Sequence, residues 1–263
     1  MNTRSYRFQD RLVEHEGKLY YLRFSKAQRL QHLLLLTSVT LLILTGMPLL
    51  LPDTWVVRHL FLFESSFTIR GIIHRLAALI LLGVTVYHIF YCLFSERGNR
   101  DLREMILTKK DITDFFQMIS YNLGRRKDPP LFGRFNFIEK FEYYAVVWGS
   151  AIMLLTGAAL WFPVQATILF PRWVLDIIRV IHSFEAILAF LTITIWHMYN
   201  VHLNPEVFPM SKVWLNGRMD LEFFRDHHPL EFEAMLAELP PDTVKRIQQQ
   251  LQENTEAEKV ETT

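Results

Sequence analysis

The sequence predicts an all-α integral membrane fold: a four-transmembrane-helix bundle with both termini in the cytoplasm. Three observations predict it. Four long apolar runs follow one another, the charged residues collect between those runs, and Lys and Arg crowd onto alternate connections. Of the 263 residues 51% are hydrophobic and 21% charged, and their separation along the chain excludes most soluble readings.

Each run approaches or exceeds the ~20 apolar residues that cross ~30 Å of hydrocarbon. The first, 30–51, has no charge; the second, 72–94, has only Arg75; the third, 143–163, has none; the fourth, 180–201, has only Glu185. Residues 1–29 are polar and lack the short apolar core of a cleavable signal, so the first run reads as a signal-anchor. The chain then divides into a cytoplasmic segment 1–29, a transmembrane domain 30–215 and a cytoplasmic tail 216–263. From about Leu239 the tail is polar and Gln/Glu-rich and is expected to be partly disordered. No internal repeat stands out.

Orientation follows from the connections. Residues 1–29 hold seven Lys/Arg, 95–142 hold ten and the stretch after 201 holds six, whereas 52–71 and 164–179 hold two each. Twenty-three against four puts the termini and the middle loop on the cytoplasmic side of a bacterial inner membrane, crossed several times. Trp55, Trp161 and Trp173 fall at the opposite interface, where Thr167–Ile178 reads as an amphipathic helix lying flat. A net charge of +1 gives no field for nucleic acid. The lone Cys92 excludes an internal disulfide, a Cys-rich cluster and a covalent C-x-x-C-H haem.

Five of the ten histidines lie in the spans: His32, His74, His88, His182 and His197. One intramembrane histidine is usually a hydrogen bond between helices; five at ordered depths call for a function. His74 and His88 are 14 residues apart, His182 and His197 15. At 100° per residue these pairs return to about −40° and +60° of their starting face, roughly 21–22 Å apart along the axis. Spans two and four both run inward, so His74 and His182 share the outer half, and His88 and His197 the inner half. Each pair can clamp an iron porphyrin in a low-spin site closed to oxygen. Gly46, Gly83, Gly149 and Gly157 offer room for a flat macrocycle or simply close helix packing. Arg75 suits a haem propionate or a lipid headgroup, and Glu185 a propionate network, a proton path or interfacial water.

Several short motifs in this order resemble a known family. They are R-L-Q-H at 29–32, Thr45-Gly46, G-I-I-H at 71–74, F-N-F-I-E-K at 135–140, L-T-G-A-A-L-W-F-P at 155–163, V-I-H at 180–182, I-W-H-M-Y at 195–199 and H-H-P at 227–229. The chain is similar to the cytochrome b (gamma) subunits of membrane-bound formate dehydrogenases, with relatives in nickel–iron hydrogenases and thiosulfate reductases. H-L-N-P-E-V-F-P-M at 202–210 is closer to the branch paired with periplasmic multihaem c-type cytochromes.

The resemblance implies a dihaem cytochrome b: a quinone-reactive, electron-transfer subunit of an oxidoreductase complex. It implies an outer haem b on His74 and His182 and an inner haem b on His32 and His197. Two departures stand out: the family spacing in span four is 14, and His88 is extra. The partner of His197 is therefore His32 by resemblance or His88 by periodicity, and His32 is the reading adopted. His88 is then left for a quinone contact, a hydrogen bond or a third haem with His202. The resemblance further implies a cytoplasmic-side site for menaquinone or ubiquinone near His197 and Asn136, with Glu139 and Lys140 close by; Asn136 also suits a helix N-cap. Outside, the expected partner is an iron–sulfur subunit or a multihaem c-type cytochrome. Competing classes are a membrane non-haem metalloenzyme, whose clustered His boxes are represented only by His227-His228, and a proton-relay transporter component.

Overall fold

The computed structural model describes residues 8–50 and 64–261. Trp55, Arg58 and the end of the first run at Leu51 lie outside the described residues. The chain is mostly helical and divides into two compact units. One comprises Leu30–Asp101 and Glu142–Ser211, the other Met1–Arg29, Leu102–Phe141 and Lys212–Thr263.

The first unit is built from long helices: α1 (Lys26–Gly46, with Lys26–Arg29 in the other unit), α2 (Glu64–Phe94), the start of α3 (Glu96–Met105), most of α5 (Phe137–Trp161), α6 (Pro163–Leu169) and α7 (Arg172–Leu191). Among the described residues three segments are long and apolar enough to cross a membrane, Lys26–Leu49, Thr68–Phe94 and Phe137–Trp161. The fourth helical run begins at Arg172 and continues past α7 through two π-helical stretches, Thr192–His197 and Tyr199–Leu203. Its N-terminal turns carry Arg172, Asp176 and Arg179. Thr167–Ile178 is not one amphipathic helix: the chain breaks at Phe170, which is extended, and Pro171 caps α7. Proline fits a helix start because it has no N–H to leave unpaired.

Helix α1 is apolar outward and polar inward, whereas α2 buries Ala77, Leu81, Val84 and Cys92. The buried residues of α1 are Gln31, Ser38 and Thr45, a seven-residue repeat that keeps one face. Leu30, Leu33, Leu44, Trp148 and Leu155 are exposed. A water-soluble protein would not expose so much continuous apolar surface; lipid removes the penalty, and packing between such helices falls to small and polar side chains.

The second unit corrects the all-α expectation. β1 (Leu12–His15) and β2 (Lys18–Leu22) form a hairpin around Glu16-Gly17, both with positive φ, and β3 (Arg218–Asp220) pairs antiparallel with β2. Two consecutive positive-φ residues fit the twist of a two-residue hairpin turn. Around the sheet lie α4 (Lys109–Asn122), α8 (Val213–Asn216), α9 (Leu221–His227), α10 (Pro229–Glu238) and α11 (Pro241–Glu261). The tail expected to be partly disordered is thus helical to Glu261, because Phe224, Phe232, Met235, Leu239 and Ile247 bury against Phe8, Leu19, Tyr21 and Met219. Tyr21 stacks on Phe224 with ring centres 3.9 Å apart.

Beside this core lies a buried ionic network. The Tyr21 hydroxyl accepts from Arg11 (3.0 Å) and Arg134 (2.8 Å) and donates to Glu231 (2.8 Å). Arg23 pairs with Glu139 at 2.7 Å, and His228 donates from Nδ1 to the Gly133 carbonyl at 2.8 Å. Burial, with Arg23 nearby, lowers the His228 pKa to about 4, so the ring is neutral at pH 7. Burial pushes the Asp111 carboxyl up, but Lys140 and the Thr108 N–H and hydroxyl outweigh it and leave the group below its usual range. Such networks add less to stability than to specificity, since each charge had to leave water.

Candidate functional site

Two helices supply a Thr-Gly pair and two supply a histidine to meet it. Thr45 Oγ1 lies 2.8 Å from His74 Nδ1, and Thr156 Oγ1 lies 2.8 Å from His182 Nδ1. Each hydroxyl also donates to its own helix, Thr45 to the Leu41 carbonyl (2.5 Å) and Thr156 to the Ile152 carbonyl (2.6 Å). A hydroxyl has one proton. With that proton on the backbone, Oγ1 must accept from the imidazole, so both rings carry their proton on Nδ1 and present a bare Nε2 lone pair. This is the arrangement in which an outer partner fixes a ligating histidine.

The neighbouring glycines leave room for the rings. A Cβ on Gly46 would stand 3.3 Å from His74 Cε1, and one on Gly157 would stand 3.4 Å from His182 Cε1. His74 and His182 lie within electrostatic reach of each other, with Arg70 also near His74. In the sequence Thr45 and Thr156 stand only as parts of motifs. The signal was L-T-G at 44–46 and again at 155–157.

The other histidines separate into two arrangements. The rings of His32 and His197 face each other, centres 6.4 Å apart and planes 44° apart. His197 Nδ1 meets Glu142 Oε2 at 2.9 Å, and Asn200 donates to the other Glu142 oxygen at 3.3 Å. His88 is placed elsewhere, with both ring nitrogens engaged. Its Nδ1 meets Gln31 Oε1 at 2.8 Å, which requires the proton on Nδ1, and its Nε2 lies 3.2 Å from the Tyr143 hydroxyl and 3.4 Å from Cys92 Sγ. His202 lies within electrostatic reach of His32 and His197 and has a buried Nδ1 with no hydrogen-bond partner. Glu142 and Tyr143 carry no signal in the sequence, being common residues near a span end, and Gln31 enters it only within the R-L-Q-H motif.

The π-helical stretch accounts for the long histidine spacing in the fourth helical run. A π turn closes i→i+5 and absorbs one residue relative to an α turn. Between His182 and His197 the run is α-helical to Leu191 and π-helical from Thr192. Fifteen residues then sweep about the angle of 14, so His197 returns to roughly −40° of the His182 face instead of +60°.

The family profile described as prokaryotic cytochrome b561 matches residues 23–207. The chain belongs to the prokaryotic cytochrome b561 family. No curated protein matches it. As a cytochrome of this family it is a transmembrane electron-transfer protein that takes haem b, in keeping with the resemblance to the gamma subunits. The residues present fit that group. The His32 and His197 ring centres, 6.4 Å apart, leave a gap into which one metal atom would fit at ordinary metal–imidazole distances of about 2 Å, so these two residues would hold a haem iron. At His74 and His182 the bare Nε2 atoms and the glycine clearances serve the same end. Among the described residues no group of three or more His, Cys, Asp or Glu side chains is set to hold a metal ion; haem ligation needs only pairs.

The remaining site residues of this cytochrome are placed as follows. The Arg75 guanidinium lies over the Trp161 ring, 5.5 Å from its centre. Arg70 donates to the Thr45 carbonyl at 2.8 Å and keeps a buried Nε without an acceptor. Glu185 lies where a Cβ on Gly149 would come within 2.9 Å of its Oε1, whereas Gly83 faces open space. Asn136 lies in the sheet-bearing unit and caps α5: its Oδ1 accepts from Glu139 N–H (2.8 Å) and its N–H donates to the Glu139 carboxylate (2.9 Å). Lys140 pairs with Asp111 at 2.9 Å. His227 stacks on Phe223, ring centres 3.8 Å apart, while His228 turns to Gly133, so the adjacent pair does not converge.

Proposed function

We propose that this cytochrome is the membrane-anchoring dihaem subunit of an oxidoreductase complex, carrying electrons across the bacterial inner membrane between a periplasmic partner and the quinone pool. The four helical runs cross the bilayer as a bundle, with both termini and the middle loop cytoplasmic, as the Lys/Arg asymmetry favours. One observation carries the reading: His74 and His182 each have Nδ1 on a threonine hydroxyl, His197 has Nδ1 on the Glu142 carboxylate, and the His32 and His197 ring centres stand 6.4 Å apart.

His74 and His182 serve as the outer ligands and His32 and His197 as the inner ones. Bound there, haem b supplies a one-electron store in a closed, low-spin site. The threonines orient the outer imidazoles without charge. Glu142 orients His197 with a carboxylate, which raises the basicity of the ligand. Arg70, with its spare Nε, and Arg75 stand as propionate partners. The outer redox partner is an iron–sulfur subunit or a multihaem c-type cytochrome.

For the quinone, menaquinone or ubiquinone, the geometry favours Gln31 and His88 over Asn136, whose side chain is committed to the helix cap. The Gln31 amide nitrogen is buried without an acceptor, on a side chain 7% exposed, and a quinone carbonyl is an acceptor of the right kind. His88 and Tyr143 beside it form a short relay for one of the two protons that accompany two electrons to the quinol.

The test is haem stoichiometry and spectra of the purified protein. The expected result is b-type α bands on dithionite reduction and about two haems per chain by pyridine extraction, one for each ligand pair. His88→Ala keeps both haems, whereas His32→Ala and His74→Ala each lose one. Colourless protein sinks the cytochrome reading. Loss of a haem in His88→Ala with retention in His32→Ala reverses the inner assignment.

A further inference from the structure

Helix α4 is turned inside out within the sheet-bearing unit. Its buried residues are Asp111 and Asp114. Lys140 and Lys110 pair with them, and a Thr108–Asp111 capping box starts the helix. The opposite face holds Ile112 (62% exposed), Phe115 (45%), Phe116 (61%) and Ile119 (40%), continued by Leu123 (61%) just past the last turn. At 100° per residue these five fall within an arc of about 100°. The stripe is therefore one continuous apolar face, with Phe115 at its edge against the Phe137 ring, centres 5.7 Å apart.

Basic residues stand at both ends of that face. Lys109 opens the helix and is exposed; Arg125, Arg126 and Lys127 follow it and are exposed. The C-terminal cluster is held in place by the backbone. Gly124 takes φ +68°, and the Arg125 and Arg126 N–H groups donate to the Ser120 carbonyl at 2.9 and 3.2 Å. Both acidic side chains of the helix are buried and paired, and with Asp128 the one exposed carboxylate directly after Arg125, Arg126 and Lys127, the exposed charge around the stripe is net positive. The segment also joins two membrane-crossing candidates in sequence: 14 residues lie between Phe94 and Lys109 and 14 between Asn122 and Phe137.

We propose that α4 is an interfacial anchor, lying in the plane of an anionic bilayer surface with Ile112, Phe115, Phe116, Ile119 and Leu123 in the acyl boundary and its terminal Lys and Arg residues on lipid phosphates. An apolar stripe beside cationic ends is the pattern that binds such a surface, and cations near anionic headgroups add to it. A bilayer accounts for the buried carboxylates and the bare apolar face together. A docked soluble protein would account for the stripe but gives no reason for the net positive charge at both its ends.

Spin labels test the proposal in the full-length, haem-loaded protein. In a Cys92→Ala background, labels are placed at Ile112→Cys, Ile119→Cys and, off the stripe, Thr113→Cys. The protein is reconstituted in nanodiscs of phosphatidylcholine with or without phosphatidylglycerol. The expected result is that labels at 112 and 119 collide with oxygen and lose collision with a water-soluble nickel chelate, while the label at 113 keeps the chelate collision. Phosphatidylglycerol should deepen that loss, and a combined R125E/R126E/K127E variant should abolish the lipid dependence. Chelate-accessible labels at 112 and 119 overturn the proposal. So do labels shielded from both reagents, which signals a protein partner or a second copy. The haem spectrum of each variant reports folding, so a misfolded variant is recognised and replaced by one labelled at Phe116→Cys.

Discussion

At the residue scale, the threonine–histidine pairs assign a proton. Because Thr156 Oγ1 gives its hydrogen to Ile152, it can only accept from His182. Thr156→Val keeps the shape and removes the acceptor, leaving a part-buried N–H unpaired at a cost of about 1–3 kcal/mol. The expected outcome is outer haem retention weakened about 10- to 100-fold, as for other partners of ligating histidines, with Thr156→Ser near wild type. Haem per chain after detergent washing, by pyridine extraction, measures it. If the valine variant holds haem and potential unchanged, the hydroxyl is only a helix back-bond. The histidines themselves were legible in the sequence, because an ionisable group in an apolar run is conspicuous. Their holders were not: threonine is ordinary in such helices, and only its three-dimensional approach to Nδ1 marks it.

At the scale of elements, the π-helical stretch Thr192–His197 decides which way His197 points. Deleting Thr194 restores the 14-residue spacing on a plain α-helix, so the inner haem should survive. Inserting one Ala at the same place turns His197 by about 100°, so the inner haem should be lost and one haem per chain remain. Redox titration by absorbance distinguishes the two, and survival of both haems in the insertion would falsify the compensation. The extra residue was visible as a spacing of 15, but its structural remedy was not, since no residue type marks a π turn. The strands escaped for a similar reason. They are three to five residues long, too short for alternation to stand out beside spans of more than 20 residues. Three spans were plain from length and composition; the fourth run reads as apolar from Val180 onward, yet its helix begins at Arg172 among charges.

For the molecule as a whole, the two units answer to different variables. The sheet-bearing unit is sensitive to acid. His228 is neutral in the fold with a pKa of about 4 and would titrate near 6.5 when unfolded, so below 6.5 the unfolded chain binds the extra proton. Stability from this group is complete above pH 6.5 and falls as the pH drops toward 4, by up to about 3 kcal/mol. His228→Gln should flatten that part of the profile, read as proteolysis of the tail against pH; an unchanged slope would overturn the buried neutral ring, because Asp111, held below its usual range, loses its contribution only in stronger acid. Sequence reading placed the N-terminal segment, middle loop and tail on one side by charge, but treated them as separate. Their joining depends on Tyr21, Arg134 and Glu231, which are 113 and 97 or more residues apart, beyond the reach of any local pattern.

That joining sets an order of events during synthesis. Leu19 and Tyr21 leave the ribosome before the helical runs, whereas Met219, Phe224, Phe232 and Ile247, which cover them, leave after those runs. Strand β2 has its hairpin partner at once but waits for β3 until every hydrophobic run has been translated. The core of this unit therefore closes only on a chain whose helical runs have all emerged, and a chain stalled earlier keeps Leu19 and Tyr21 open to quality control.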